Sequence, residues 1–206
     1  MVQHADIDHT GITGVSSGDV AADSLFDAKG DLAVGTGANT AAKLTAGADG
    51  SFIQALSSEA TGLKYRAAPV AASVILSAGN YTGTTGSFAI ITGATLSLTT
   101  LARRVRIHVI GACQVGTAAD AVVFDVSIDG TYLSGGATNG LTGAREQTTG
   151  HRKNFSFSIL SPVLTAGAHT IELHSKRAVG SGTITILASS ADTVLTFQAE
   201  ETFLLV

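Results

Sequence analysis

Val122-Val123-Phe124-Asp125-Val126-Ser127-Ile128-Asp129-Gly130-Thr131-Tyr132-Leu133 is the stretch on which the reading of the fold turns. Positions 124, 126 and 128 are apolar and 125, 127 and 129 are polar. A period of two sends alternate side chains to opposite faces of a strand, so Phe124, Val126 and Ile128 share a core face and Asp125 and Ser127 a solvated one. Asp129-Gly130 is a favoured pair for a tight hairpin turn. The stretch therefore reads as a half-buried strand entering a hairpin.

Working outward, Asn154-Phe155-Ser156-Phe157-Ser158-Ile159-Leu160 repeats the pattern, with Phe155, Phe157 and Ile159 assigned to the core. Further runs of apolar and Thr/Ser residues, bounded by Gly, Asn and Asp, give candidate strands at 73–77, 87–91, 95–98, 103–114, 121–128, 131–133, 154–160, 169–174, 182–188 and 193–206. No helical period separates them. Many short strands in series predict an all-β chain whose residues 73–206 form an antiparallel β-sandwich, jelly-roll-like.

Residues 1–66 differ. They are rich in Asp, Gly and Ala, poor in alternating β-branched runs, and read as an extended N-terminal arm or stalk with too few apolar residues for a core of its own. Residues 67–72, with Pro69 among small residues, read as a linker. Of the 206 residues only 14% are charged, 24 are Gly, 2 are Pro and none is Trp. The outer strand faces would then carry Thr, Ser, Ala and Gly where a solvated monomer carries Lys and Glu, and weakly charged strand faces predict self-association.

A net charge of -4 with scattered Lys and Arg offers no basic patch for nucleic acid. No apolar run approaches the ~20 residues of a spanning helix, so no membrane is expected, and the first residues are unlike a signal peptide. The lone Cys113 excludes an intrachain disulfide and reads as a small buried hydrophobe on a strand. His4, Asp6, Asp8 and His9 have metal-ligating chemistry, but no further ligand cluster follows, and they read as a polar docking peptide. Asp120, Asp125 and Asp129 lack the calcium-loop spacing and read as turn formers and solvated strand positions. His108, His169 and His174 fall in predicted strands and His151 starts one. Gly35-Thr36-Gly37 lacks the third glycine and helix of a dinucleotide loop, and no phosphate loop or His-Glu-x-x-His motif occurs. No enzymatic activity, cofactor or resident metal is expected.

One stretch carries a family resemblance. Leu25-Phe26-Asp27-Ala28-Lys29-Gly30-Asp31-Leu32-Ala33-Val34-Gly35-Thr36-Gly37 leads through a small-residue run to Lys43-Leu44, then to Gly47-Ala48-Asp49-Gly50-Ser51-Phe52-Ile53-Gln54-Ala55-Leu56 and Glu59-Ala60-Thr61-Gly62-Leu63-Lys64-Tyr65. It resembles a module of bacteriophage tail-fibre, head-fibre and other virion proteins, with Tyr65 where that family often has Trp. The start from His4 to Val15 is similar to that of small phage appendage proteins, and the C-terminal region resembles the jelly-roll heads that cap trimeric fibres.

The resemblance implies a non-enzymatic virion protein, assembled in the host cytoplasm: a capsid decoration or short head-fibre protein, anchored through its N-terminal region and displaying a trimeric sandwich. Its implied partners are its own copies and the major capsid protein or another virion protein, with His4, Asp6, Asp8 and His9 in the attachment peptide. The alternative is a tail-fibre or receptor-binding protein that adsorbs to the host surface. Sugar-binding tips favour exposed Trp and Tyr, and here only Tyr65, Tyr81 and Tyr132 are available, which favours decoration.

Overall fold

A computed structural model describes residues 27–38, 40–117, 120–136, 138–145, 149–189, 191 and 193–202. Every regular element among the described residues is a strand, so the all-β expectation holds. The chain divides into two compact units, residues 1–68 and 69–206.

In the first unit the stretch read as extended contains two hairpins. β1 (Leu32–Gly37) pairs antiparallel with β2 (Thr40–Leu44), and β3 (Phe52–Ala55) pairs with β4 (Leu63–Arg66). These strands were hidden in the sequence because they are four to six residues long; β1 and β2 are built largely from Ala, Gly and Thr, which alternate weakly, and in β3 the adjacent Phe52 and Ile53 break the alternation. Asp31 is the only buried residue among the described residues 27–68.

The second unit is a sandwich. Its strands are β5 (Ala71–Leu76), β6 (Tyr81–Gly83), β7 (Ala89–Leu101), β8 (Val105–Val115), β9 (Ala121–Ile128), β10 (Thr131–Tyr132), β11 (Thr142–Arg145), β12 (Arg152–Leu160), β13 (Ala166–Val179), β14 (Ile184–Leu187) and β15 (Leu195–Glu201). One sheet runs β7-β13-β9, with β10 and β11 both on the far edge of β9. In the other, β12 pairs along nearly all of β8, from Arg106 to Gln114. β15 pairs with β8 over 105–110 and β14 over 112–115, so these two share the opposite edge end to end, flanked by β5 and β6. The chain passes from sheet to sheet after β6, β7, β8, β11, β12 and β13. Ala71 and Ala72, read as linker, already belong to β5.

The inward faces close one core. Phe124, Val126 and Ile128 of β9 face Val105, Ile107 and Val109 of β8, Phe197 of β15 and Ile171 and Leu173 of β13, all buried. Phe155 stacks on Phe124 across the sheets, with ring centroids 4.1 Å apart and planes 24° apart, which joins the two alternating stretches picked out in the sequence. Phe157 and Ile159 pack on the core at its half-buried rim. Each fully buried side chain of this size contributes roughly 1.5–3 kcal/mol of transfer free energy. Gly111 leaves room for this packing: a Cβ there would lie 2.8 Å from Leu195 Cδ1 and 2.9 Å from Phe155 Cζ.

Two readings of the strands are corrected. The candidates 87–91 and 95–98 are one strand, β7, bent at Gly93, whose φ of +84° opposes the register shift between Glu172 and His174. And β9 is not half-buried, because Asp125 and Ser127 on its outer face are buried too. Part of their cover is the hairpin itself, folded back over this face: Tyr132 stands opposite Ser127 and Ser134 bonds Asp125, while Phe88, from a distant part of the chain, packs on Tyr132.

Candidate functional site

The module of residues 27–68 is held by polar contacts. Ala28 to Asp31 forms a turn with Gly30 at φ +89° and the Asp31 amide donating to Ala28 O at 3.2 Å. The Asp31 carboxylate accepts from the amides of Ala28 at 3.1 Å and Ala46 at 3.3 Å, with Lys43 Nζ 3.7 Å away. Lys43 also reaches Asp27 at 2.6 Å, and that hydrogen bond holds the Asp27 carboxyl below its usual pKa and the Lys43 ammonium above its own. Lys64 pairs with Glu59 at 2.6 Å, and Arg66 Nε donates to Gln54 at 3.1 Å. The Tyr65 ring lies over Gly47, where a Cβ would come within 2.7 Å of it. Each distinctive residue of the Asp-Ala-Lys-Gly-Asp-Leu element is thus accounted for by local geometry except Lys29.

The head presents two unlike outer faces. On the β7-β13-β9 sheet, Asp125 accepts from Ser134 Oγ, and the carbonyl oxygens of Gly136 and Asn139 each lie 3.1 Å from the same hydroxyl as alternative acceptors. Lys176 donates to Thr138 O and lies 4.5 Å from the Phe88 ring centroid. Tyr132 meets His174 edge-on with centroids 5.0 Å apart, and burial raises the pKa of its phenol. His174 Nε2 lies 2.9 Å from Ser127 Oγ and 3.7 Å from Glu172, and burial lowers the pKa of its imidazole.

Ser127, His174 and Glu172 are residue types of a nucleophilic triad in the wrong arrangement. In a triad the acid holds the ring nitrogen opposite the nucleophile, whereas here both approach Nε2 and Nδ1 has no hydrogen-bond partner among the described residues. The pattern Gly14-Val15-Ser16-Ser17-Gly18 spells a Gly-x-Ser-x-Gly nucleophile motif and lies outside the described residues.

On the other sheet the outer face is bare. Ile75 on β5 is 61% exposed and Ile110 on β8 is 47% exposed. Beside them runs a groove of about 530 Å³ lined by Ala71, Ser73, Arg106, His108, Gln198 and Glu200, with Arg106 and Glu200 3.7 Å apart.

The three aspartates weighed for calcium lie apart in use. Asp120 accepts from the amides of Ser181 and Gly182, Asp125 from Ser134, and Asp129 from Thr170 N at 2.8 Å. Asp129 and Gly130 have φ of 51° and 81°, the pair of positive values the hairpin needs. Among the described residues no three His, Cys, Asp or Glu side chains gather as a metal would require. His4, Asp6, Asp8 and His9 lie outside the described residues.

Glu201 was not singled out in the sequence. Its carboxylate, with no exposed side-chain surface, accepts from Leu101 N at 2.6 Å and Val70 N at 3.3 Å and faces Arg103 at 3.5 Å. The signal was available: Leu195, Phe197, Ala199 and Glu201 share one face, so the alternation aims this charge inward.

No protein-family model and no curated protein matches the chain. Among solved structures it is similar to infectious bursal virus derived T=1 particles, at 13% identity over 77% of this chain and 44% of that one, with a TM-score of 0.41. It is also similar to the infectious bursal disease virus Gx strain, at 12% identity over 72% and 40% with a TM-score of 0.36. Latent PorU from Porphyromonas gingivalis shares 6% identity over 65% and 13%, with a TM-score of 0.39. The chain spans less than half the length of each. Likeness of this degree carries no functional argument.

Proposed function

We propose that the chain is a non-enzymatic structural protein of a bacteriophage particle, a capsid decoration or short head-fibre protein. Residues 1–66 attach it to the major capsid protein or another virion protein, and the sandwich is carried outward as a homotrimer. The observation that supports this most is the pairing of a sandwich that closes its own core with a preceding module that has none, in the stretch that resembles phage virion proteins. A segment unable to bury its apolar residues gains its order from a partner surface, which is the situation of a docking arm. His4, Asp6, Asp8 and His9 belong to that arm.

The test is deletion of residues 2–20. The truncated protein is expected to remain a folded, soluble oligomer and to lose binding to particles that lack the native protein. Undiminished occupancy on such particles would move the attachment surface to the sandwich and overturn the division of labour.

A second reading, adsorption to the host surface as a tail-fibre protein, draws on the groove beside Arg106, His108 and Gln198. It is chosen over the first if the free protein binds host cells and Arg106→Ala abolishes that binding.

A further inference from the structure

The self-association in the reading above can be given a surface. By the register of β1 and β2, Leu32 stands opposite Leu44 and Val34 opposite Ala42, so one face of this hairpin is apolar, while Lys43 stands on the other. In the second hairpin Ile53 stands opposite Tyr65 and Ala55 opposite Leu63, again on one face, with Phe52, Gln54, Lys64 and Arg66 on the other. Neither apolar face is fully buried: Leu32 is 37% exposed and Ile53 43%, while Val34, Leu44, Leu63 and Tyr65 are half-buried. Two-stranded hairpins with an incompletely covered apolar face are marginal in water. The polar contacts of Asp31, Lys43 and Lys64 fix turns and strand ends, and they do not cover these faces.

Charge selects the occupant. Residues 27–68 hold four acidic side chains, Asp27, Asp31, Asp49 and Glu59, and four basic ones, Lys29, Lys43, Lys64 and Arg66, so four minus four leaves no net charge. Three acids and two bases are already paired within the chain, Asp27 and Asp31 with Lys43 and Glu59 with Lys64. A neutral, internally paired surface meets another copy of itself without repulsion and gives a strongly charged partner no complement. The bare head face around Ile75 and Ile110 makes no comparable demand, because the sandwich beneath it is already closed.

We propose that the apolar hairpin faces of residues 27–68, centred on Leu32, Val34, Leu44, Ile53, Leu63 and Tyr65, are covered by the same faces of further copies of this chain. This rests on the oligomeric reading above and would fall with it.

The experiment is native mass spectrometry of the full chain at micromolar concentration. The wild type is compared with Leu32→Asp/Ile53→Asp, and with Ile75→Asp/Ile110→Asp on the head face. Unfolding of the head, followed by near-ultraviolet circular dichroism, checks that each variant keeps a folded sandwich. The wild type is expected to be an oligomer, the hairpin variant to associate at least roughly tenfold more weakly with its head intact, and the head-face variant to assemble as the wild type does. The proposal is overturned if the hairpin variant assembles normally or if only the head-face variant dissociates. It is equally overturned by a monomeric wild type, whether a virion protein or the chain's own first residues then cover the faces. Binding to particles, measured alongside, separates the claims: a monomer that decorates particles sinks this inference and the homotrimer but leaves virion attachment standing, and an oligomer that never binds them sinks the virion reading alone.

Discussion

Asp31 and Glu201 do the same thing in opposite surroundings. Each is a carboxylate with no exposed side-chain surface, accepting two backbone amides and facing a cation. Around Glu201 the sandwich buries Phe124, Phe197, Ile107, Ile171 and Leu173, so the carboxylate closes a structure that hydrophobic burial already stabilises. Around Asp31 no apolar side chain among the described residues 27–68 is buried, so the carboxylate sets the shape of a turn and little else. Hydrogen bonds specify geometry at a net gain of about 1 kcal/mol each, whereas apolar burial supplies the bulk of stability. The head therefore has a core of its own, and on the proposed reading the module gains its order from a partner.

The sharpest way to press this contrast is Glu201→Ala. It removes the carboxylate facing Arg103 and the acceptor of the Val70 and Leu101 amides, and removing one partner of a buried pair costs about 3–5 kcal/mol. Urea unfolding followed through the head should show a loss of that size. A loss under about 1 kcal/mol would mean that water replaces the carboxylate and that the clasp is dispensable.

A smaller effect lies in pH, and both groups that produce it are in the head. Burial lowers the His174 pKa, so above the folded value the unfolded chain binds more protons, and stability falls as pH drops through about 6.5. His169 is the reverse. The carbonyl of Thr165 at 2.9 Å, then the Asp129 carboxylate at 2.7 Å, raise its pKa, so its contribution is present below about 6.5 and lost as pH rises through the folded value. His174→Gln should lessen the stability lost between pH 7.5 and pH 5, and His169→Gln should increase it, both read from urea midpoints. Identical pH profiles for the two variants would contradict these assignments.

Much of the head was legible in sequence because its signals are local. Alternation in 121–128 and 154–160 places Phe124, Val126, Ile128 and Phe155 in the core, and Asp129-Gly130 marks a hairpin whose partners, Ile128 and Thr131, lie side by side. Asp125 and Ser127 were misread because Tyr132, paired opposite Ser127, and Ser134, bonded to Asp125, fold back over a face that the alternation marks as solvated. The bend at Gly93 split one strand into two, since a bulge breaks the period of two that reveals a strand. The hairpin of 32–44 escaped because Ala, Gly and Thr carry too little contrast between faces, and that of 52–66 because its strands are only four residues long and Phe52 next to Ile53 interrupts the alternation. Of the interaction surface, its poverty in apolar residues was plain from composition, but its pairing into two amphipathic hairpins appears only in the register.

The most direct test of this contrast is amide hydrogen exchange on the full chain across a dilution series that spans assembly. The account predicts that amides of 32–44 and 52–66 exchange rapidly in the dilute, unassembled protein and become protected as copies associate, while those of β8, β9 and β13 stay protected throughout. Hairpin amides as strongly protected as the sandwich in a dilute monomer would contradict it, because the module would then carry its own stability.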